Sequence, residues 1–447
     1  MDNNVTAVDT FQQLLERVRE RQLPLISLRP KEISEAAAYE GDYDLFLPPQ
    51  YMDELFRIVF DLAVEKHSSF TINRYKHGKA VIVLHNRADN RSIFLEIWNM
   101  LSVKEPHNQT IRYIFPDQLE SHILRTKSGE FAFSLEVEAL YYLSHLFTGG
   151  KKMTTELVRY RVSYYQEVLR KEGSKYAQWY NDLAEGKSDI KSAAHLANME
   201  LVGMGILFSK KNIGAVMAEL TTKIADSLRL FKRQWLRALK IIPVVGPDGV
   251  GKTSLIETLI QKSSVKAGYF RFKKLFRSSP FYRLVFPLFQ RSLSNEFGGK
   301  VSIGKSEVDD RYASVVFSNA LMMYPFRVIS NFLSGRLMFS DRYFHDYLLT
   351  NIRLRGAKAG LRTEWKKWLC RIPQQYWFIH LDASTEVILS RKTELNEEGV
   401  SSYRYDIFTA YLEKPFMIYS YVNTESTPEH CTDLLIEIAD KIADIKL

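Results

Sequence analysis

Cysteine is scarce in this sequence: its 447 residues include only two, Cys370 and Cys431. Two cysteines cannot build a multi-cysteine metal site or a disulfide framework, and such scarcity is typical of a reducing compartment. The first residues, MDNNVTAVDTF, carry acids where a secretory signal has basic residues followed by an apolar run. A notable uncharged run, residues 312–326, is too short to cross a bilayer. We therefore predict no export signal, no transmembrane segment and a cytoplasmic location.

Low-complexity tracts and repeats are also lacking, and the composition is that of ordinary globular domains. Hydrophobic residues make up 46% of the chain and charged residues 25%, which excludes a disordered or fibrous protein. The length predicts two or three domains. The formal net charge of +9 favours an anionic partner, such as a nucleotide, a nucleic acid, a phosphorylated substrate or an acidic membrane surface. The short basic clusters at 231–240 and 271–277 are equally consistent with solvated helix faces and with nucleic-acid contacts.

The order of strand-like and helical patterns predicts an α/β multidomain protein. Residues 1–120 alternate between strand and helix patterns, with a helix near 50–66 and a hairpin over 79–98, and predict a small α/β domain. Residues 121–236 contain long amphipathic patterns and predict a helical domain. Residues 237–447 begin with a strand and a glycine-rich turn, then alternate again, which predicts a parallel sheet with flanking helices.

Residues 246–253, GPDGVGKT, match the phosphate-binding spacing G-x-x-x-x-G-K-[ST]. An apolar strand precedes the loop and a helical pattern follows it, so the loop would lie at a helix N-terminus, where backbone N–H groups can face phosphate oxygens. Lys252 would bind the terminal phosphates, and the Thr253 hydroxyl would ligate Mg²⁺. The residues expected to contact the nucleotide are Gly246, Asp248, Gly249, Val250, Gly251, Lys252, Thr253 and Ser254.

A phosphate loop alone is compatible with a GTPase, a motor or transport ATPase, or a small-molecule kinase. The stretch FSDRYFHDYLL, residues 339–349, narrows this choice. An apolar strand ends there at Asp341, which would deliver a carboxylate towards the nucleotide. ATPases that activate water commonly carry a second acid at this point, whereas this chain has Arg342. The sequence also has no N-K-x-D tetrapeptide for guanine recognition.

The Asp-Arg-Tyr triplet at a strand end resembles the thymidylate kinase and deoxynucleoside kinase group of P-loop kinases, and most resembles a divergent bacterial branch. The resemblance covers about 240 to 420. It implies ATP and Mg²⁺ as cofactors, with Asp341 near the attacking oxygen and the metal, and Arg342 holding the acceptor. Without the resemblance, the same pair reads as a surface ion pair. Asp346 fits the branch's pattern as an acceptor contact or as a solvated acid at a helix start.

A further segment, YWFIHLDASTEVILSRK at 376–392, resembles the strand, helix and lid of the same family. In that family a lid arginine closes on the transferring phosphoryl group. The resemblance makes Arg391 the first candidate for this role, ahead of Lys392 and Arg404, and such a cation would neutralise charge on the reacting phosphates. Asp382 is expected to shape the turn, and His380 is expected to lie in the core.

Two acids near the N-terminus, Asp42 and Asp44, lie two residues apart on a predicted strand and so face the same side. Glu96 on a neighbouring strand would complete a three-carboxylate cluster able to hold Mg²⁺. This pattern resembles the nucleotidyltransferase fold. That family carries a Gly-Gly or Gly-Ser turn before the acids, whereas the matching residues here, 27–32, read SLRPKE. The resemblance therefore implies the fold, while catalysis and a binding or scaffold role both stay open.

The phosphate loop and the resemblance together predict an ATP- and Mg²⁺-dependent P-loop kinase, with Lys252 and, as the resemblance implies, Asp341, Arg342 and Arg391 as its catalytic residues. A nucleoside or nucleoside monophosphate is the acceptor that the resemblance implies. The sequence differs from ordinary thymidylate kinases between 265 and 335, so a sugar or surface-polysaccharide precursor stays open as acceptor. The alternative is a nucleotide-switched regulatory or nucleic-acid-binding protein, although nucleic acid is not the favoured partner. The oligomeric state stays open.

Overall fold

The computed structural model describes most of the chain. The described residues are 7–28, 42–76, 78–85, 92–126, 129–208, 213–272, 322–344, 375–391, 396–413 and 417–445, with residues 274, 279, 283 and 287. Several positions singled out in the sequence lie outside them: Asp346, Cys370, Lys392, residues 29–32, residues 312–321 and the side chain of Asp42. Among the described residues, no helix is both long enough and apolar enough to cross a membrane.

The described strands form one large mixed sheet and a separate two-stranded hairpin. The strands are β1 (Ile26–Ser27), β2 (Asp42–Phe46), β3 (Ser69–Lys76), β4 (Lys79–His85), β5 (Ser92–Trp98), β6 (Leu101–Lys104), β7 (Ile111–Ile114), β8 (Ile123–Arg125), β9 (Phe131–Phe133), β10 (Ile241–Val245), β11 (Ala267–Arg271), β12 (Leu337–Asp341), β13 (Trp377–Asp382) and β14 (Ile418–Asn423). The large sheet has the order β11-β12-β10-β13-β14-β3-β4-β5-β2-β1-β9-β8, and β6 pairs with β7.

The described helices connect these strands and cover the sheet. They are α1 (Ala7–Glu20), α2 (Met52–Glu65), α3 (Pro116–Leu119), α4 (Leu135–Thr148), α5 (Glu156–Lys171), α6 (Ala177–Ala184), α7 (Ile190–Gly203), α8 (Ile213–Ala238), α9 (Lys252–Lys262), α10 (322–334), α11 (Thr385–Arg391), α12 (Glu397–Glu413) and α13 (Pro428–Ile438). The predicted α/β class is therefore confirmed.

One block of the sheet, β11-β12-β10-β13-β14, is parallel throughout. Every residue of β10, β13 and β14 is buried. Their continuous apolar runs follow from this burial, because parallel strands covered by helices on both faces need apolar side chains on both sides. The register pairs Val244 of β10 with Asp341 of β12 and with Ile379 of β13, so the carboxyl ends of three strands meet at one edge.

The sheet continues from the C-terminal part of the chain into the N-terminal part. Strand β14 pairs antiparallel with β3, and Ser420 on β14 lies 3.0 Å from Thr71 on β3, hydroxyl oxygen to hydroxyl oxygen. The apolar core below this junction contains side chains from both parts, including stacked Phe60 and Phe408 rings. The first and third predicted segments thus share a sheet and a core, and their boundaries stay predictions.

Helices α4 to α7 pack into a second core with the β6–β7 hairpin. Helix α5 shows why they do so: its buried residues, Val158, Val162, Tyr165 and Leu169, recur at the three- and four-residue spacing that lines one helix face. Short strands β8 and β9 precede these helices and extend the large sheet, so the segment predicted to be helical from residue 121 begins with strands.

Candidate nucleotide-binding site

The predicted phosphate loop lies at the point where the strand order of the parallel block reverses. From β10 the chain passes through α9 to β11 on one side, whereas from β13 it passes to β14 on the other. Strands β10 and β13 are neighbours, and their connections leave in opposite directions. A crevice therefore opens between the connections at the carboxyl ends of these two strands. Ligands of open parallel sheets bind at such points. Residues 246–251 occupy it here.

Gly246 begins the loop at a position that only glycine can occupy. Its φ is 152°, and a Cβ placed there would lie 2.4 Å from the carbonyl oxygen of Leu381 on β13. A side chain would therefore push the loop off the neighbouring strand. Gly251 ends the loop with φ 93°, a left-handed conformation, and α9 starts at the next residue. The predicted strand, loop and helix are thus all present.

Lys252 is nearly buried at the first position of α9 and curls back over the loop. Its Nζ donates to the carbonyl oxygens of Gly246 and Pro247, each at 2.8 Å, and lies 3.6 Å from the carboxylate of Asp248. The ammonium is therefore fixed at the mouth of the loop, where it can meet an anionic group. Thr253 and Ser254 follow in the first turn of the helix, so their hydroxyls lie at its positive end.

Two residues that the sequence did not single out hold the loop in place. The Tyr403 hydroxyl, from α12, accepts a hydrogen bond from the backbone N–H of Gly246 at 3.0 Å. The Thr424 hydroxyl, just after β14, donates to the carbonyl of Val250 at 2.8 Å. Both come from segments more than 150 residues along the chain, with separations of 157 and 174, so no local pattern marks them.

Asp341 ends β12 with its side chain largely buried at the same edge of the sheet. Its Oδ2 accepts a hydrogen bond of 3.0 Å from the Tyr269 hydroxyl, and Arg271 Nε lies 3.8 Å away. Its other oxygen, Oδ1, is buried and has no hydrogen-bond partner among the described residues. A buried carboxylate oxygen without a donor is costly unless a cation or a donor group meets it. The carboxylate therefore fits a role as a metal ligand or as the acceptor of a substrate hydroxyl.

Arg342 follows Asp341 in a conformation that is unusual for a residue with a side chain. Its φ is 71°, and its N–H donates to the carbonyl of Val244 on β10 at 3.0 Å. Its guanidinium pairs with the carboxylate of Asp248 in the phosphate loop. A left-handed arginine costs on the order of 1 kcal/mol, and such strain clusters at functional sites. Arg342 thus contacts the phosphate loop, and Asp341 precedes it at the end of β12.

The first predicted lid cation, Arg391, also reaches the loop. It is exposed at the end of α11, and its Nη1 donates to the carbonyl of Gly249 at 3.3 Å. Arg404, a reserve candidate, is instead buried and paired with Asp382, to which Nη2 donates at 3.2 Å. Burial raises the pKa of Asp382, and Arg404 opposes this shift. Because Asp382 and Ala383 bind its buried guanidinium, Arg404 is not placed as a lid cation.

His380 lies on β13 behind the loop and is fully buried, as expected of a core residue. Its Nδ1 lies 2.7 Å from the Tyr419 hydroxyl. Burial, reinforced by the charges of Arg404 and Lys252, lowers the pKa of His380 to about 3. The imidazole is therefore neutral at physiological pH and adds no charge to the site.

The N-terminal acids lie on adjacent strands as predicted, but the described residues there do not gather a metal-ligand set. Asp44 on β2 is opposite Glu96 on β5 in the parallel register. Glu96 pairs with Lys79, and the indole Nε1 of Trp98 donates to Asp44 at 3.4 Å. Within the described part of the chain, no group of three or more His, Cys, Asp or Glu residues could hold a metal ion. The predicted N-terminal Mg²⁺ site, which includes the side chain of Asp42, stays a prediction.

Comparisons with known proteins give matches to solved structures alone. No model of a protein family matches the sequence, and no curated protein matches it. Solved structures do match, among them the thymidylate kinase of Candida albicans, which is 17% identical. That match covers 45% of this chain and 91% of the other, with a TM-score of 0.33. Because this similarity is low, the function of the chain has to be inferred from its own residues.

Proposed function

We propose that this chain is an ATP-dependent phosphotransferase that transfers the γ-phosphoryl group to a nucleoside or nucleoside monophosphate. The observation that carries this proposal is the buried Oδ1 of Asp341, which has no hydrogen-bond partner among the described residues and lies at the end of the strand next to the phosphate-loop strand. A carboxylate held there can accept a proton from a substrate hydroxyl. Arg342, directly after it, supplies the cation that an anionic or hydroxyl-rich acceptor needs.

The division of roles follows from where each group lies. The backbone N–H groups of the loop and the Lys252 ammonium bind the nucleotide phosphates. Arg391, which binds the carbonyl of Gly249, contributes a second positive charge that stabilises charge on the phosphoryl group during transfer. Tyr269 holds Asp341 through Oδ2, so Oδ1 is the oxygen that would meet the acceptor or the metal.

The donor set also fits Mg²⁺. The Thr253 hydroxyl and the Asp341 carboxylate are both hard oxygen ligands at this edge of the sheet, and an orphaned carboxylate oxygen accepts a divalent cation readily. A bound Mg²⁺ would neutralise charge on the nucleotide phosphates.

The test is transfer of the γ-phosphate of radiolabelled ATP to a panel of nucleosides, nucleoside monophosphates and sugars. We expect transfer to a nucleoside or its monophosphate. Asp341→Asn should lower the transfer rate at least 100-fold, on the order expected for loss of a general base, while ATP affinity stays unchanged. Asp117→Asn, at an exposed acid of α3, is the matched control and should retain full transfer.

Other outcomes would contradict the proposal in distinguishable ways. Transfer only to sugars would retain the phosphotransferase and replace its acceptor class. Release of phosphate to water alone, unaffected by any acceptor, would exclude a kinase. ATP binding without turnover, together with salt-sensitive binding of nucleic acid, would instead indicate a nucleotide-switched binding protein.

A further inference from the structure

Helix α8, the longest described helix with 26 residues, turns its polar side towards the body of the protein. Glu219 is buried and accepts a hydrogen bond of 2.6 Å from Arg112 Nε. About two turns further along the helix, Asp226 accepts a hydrogen bond of 2.8 Å from the Tyr113 hydroxyl. Ordinary surface helices do the opposite and bury an apolar stripe.

The C-terminal half of α8 is attached in the same way, through its arginines. Arg229 Nε donates to the carbonyl of Arg74 at 3.1 Å, and Arg233 Nε donates to the Tyr376 hydroxyl at 3.2 Å. Arg237 Nη1 pairs with Asp444 at 2.5 Å. The polar face of the helix therefore binds residues from several distant parts of the chain.

The opposite face of α8 is apolar and exposed. Its side chains are between 47% and 81% exposed: Ile213, Val216, Met217, Leu220, Ile224, Leu228, Phe231 and Trp235. Seven of them follow each other at steps of three or four residues, which places them in one stripe along a helix about 39 Å long. No charged side chain interrupts the stripe.

The size of this stripe matches one side of a protein interface. At roughly 60 to 100 Å² for each side chain, eight of them present roughly 480 to 800 Å² of apolar surface, comparable with the roughly 800 Å² that each partner contributes to a standard interface. A contiguous apolar patch of this size on a monomer marks a binding surface.

We propose that the stripe binds the same stripe of a second copy of this chain, with the two α8 helices antiparallel around Ile224. Seven of the eight stripe positions are symmetric about that residue, which lies at the centre with partners 4, 7 and 11 residues away on either side; Val216 is the exception. An antiparallel pair therefore brings Ile224 against its mate, Leu220 against Leu228, Met217 against Phe231 and Ile213 against Trp235. Smaller side chains meet larger ones towards the ends, and a two-fold interface needs this self-complementarity.

The orientation of α8 argues against a lipid surface as the occupant. Membrane-surface helices place an apolar stripe in the acyl boundary and direct basic side chains of the polar face to the headgroups. Here Arg229, Arg233 and Arg237 are bound to a carbonyl, a hydroxyl and a carboxylate of the protein itself. They cannot contribute headgroup contacts without breaking those bonds.

The first test is the oligomeric state of the full chain by sedimentation equilibrium, compared among three proteins. The parent should be a dimer. Leu220→Lys should raise the dimer dissociation constant at least 100-fold, because a charge would be buried at the centre of the interface. Leu157→Lys is the matched control: Leu157 is an equally exposed leucine, but on α5, and its variant should remain dimeric.

The second test determines the register by disulfide cross-linking under mild oxidation with a copper–phenanthroline oxidant. Ile224→Cys should cross-link to its own mate. Met217→Cys alone and Phe231→Cys alone should not, whereas a mixture of the two variants should yield a 217–231 cross-link. The parent chain, with Cys370 and buried Cys431, gives the background.

Each alternative has its own signature. A parent that is monomeric at every concentration overturns the proposal, and co-sedimentation of that monomer with anionic vesicles would assign the stripe to a membrane. A dimer that Leu220→Lys leaves intact would place the interface elsewhere. Self-cross-linking of Met217→Cys would show a parallel pair and overturn the register. A monomer whose stripe cysteines resist labelling would show that another part of the chain covers them.

Discussion

The guanidinium of Arg342 is paired with the carboxylate of Asp248. The residue proposed to hold the acceptor is thus fixed by the loop proposed to hold the nucleotide. Arg342 also hydrogen-bonds through its N–H to β10, the strand that leads into the same loop. The two halves of the candidate site are therefore mechanically connected before any ligand binds.

Loss of this pair should affect the acceptor more than the nucleotide. For Asp248→Asn we expect the KM for the acceptor to rise about 3- to 10-fold, because a free arginine side chain must be ordered on binding at roughly 0.5 to 1.5 kcal/mol. The ATP dissociation constant should change less. Steady-state kinetics with each substrate varied will test this, with Asp433→Asn, which breaks an exposed pair with Lys262, as control. An unchanged acceptor KM would contradict the proposed role of the pair.

The left-handed backbone of Arg342 predicts an unusual order of stabilities. Arg342→Gly should be more stable than Arg342→Ala by about 1 kcal/mol, because glycine removes the steric cost of φ 71° and alanine retains it. Both variants should lose phosphoryl transfer. Urea denaturation of the two proteins gives the difference directly, and an alanine variant as stable as the glycine variant would show that the conformation carries no strain.

The two glycines at the ends of the phosphate loop should respond differently to alanine. Gly246→Ala should abolish ATP binding, since a Cβ there would lie 2.4 Å from the backbone of Leu381 and neither strand can move cheaply. At Gly251 no described atom beyond the adjoining backbone lies within 4 Å of an added Cβ, so Gly251→Ala should destabilise the loop by only the roughly 1 to 2 kcal/mol of a left-handed residue and should weaken ATP binding less than Gly246→Ala. Calorimetric titration with ATP will compare them, and equal losses would refute the close approach to β13.

The stability of the helical part should depend on pH through Glu138. This residue of α4 is almost fully buried and accepts a hydrogen bond of 2.6 Å from the Tyr165 hydroxyl. Burial raises the pKa of Glu138 to about 7. The folded state therefore binds more protons than the unfolded state between the ordinary glutamate pKa and about 7, and the stabilisation is lost as the pH rises through that window.

The measurement for this prediction is the free energy of unfolding at pH 5 and pH 8. Relative to Glu138→Gln, the parent should lose on the order of 3 kcal/mol between the two values. Glu156→Gln, at an exposed position of α5, should follow the parent. His85 and His380 are buried with a pKa of about 3, so their contribution to the free energy of unfolding increases with pH, opposite to that of Glu138. The difference between the parent and Glu138→Gln is therefore more informative than the pH dependence of the parent alone.

Local sequence patterns were sufficient to predict much of the fold. The apolar strand before residue 246, the helix after it and the strand ending at Asp341 are all where the sequence predicted them. The predicted hairpin at 79–98 is also confirmed, because β4 and β5 pair along their whole length. These features depend on residues close together in the chain, whose periodicity and turn chemistry are sufficient to specify them.

The rest depends on partners distant in the chain. Nothing near Tyr403 indicates that its hydroxyl will bind the first N–H of a loop 157 residues earlier. Likewise, Arg404 has the sequence surroundings of a lid cation, and only the fold reveals that Asp382 pairs with it. The amphipathic pattern of α8 predicts a helix correctly but not which side faces the body, because the period of a stripe is the same whether it is buried or exposed.

The antiparallel pairing of β14 with β3 has a practical meaning for anyone who divides this protein. A cut between α8 and β10 would separate these two strands and leave each fragment with an open row of backbone donors and acceptors along one strand. Such edges recruit other chains. At this junction each part of the chain covers a sheet edge of the other. Neither part is therefore a natural unit for expression alone.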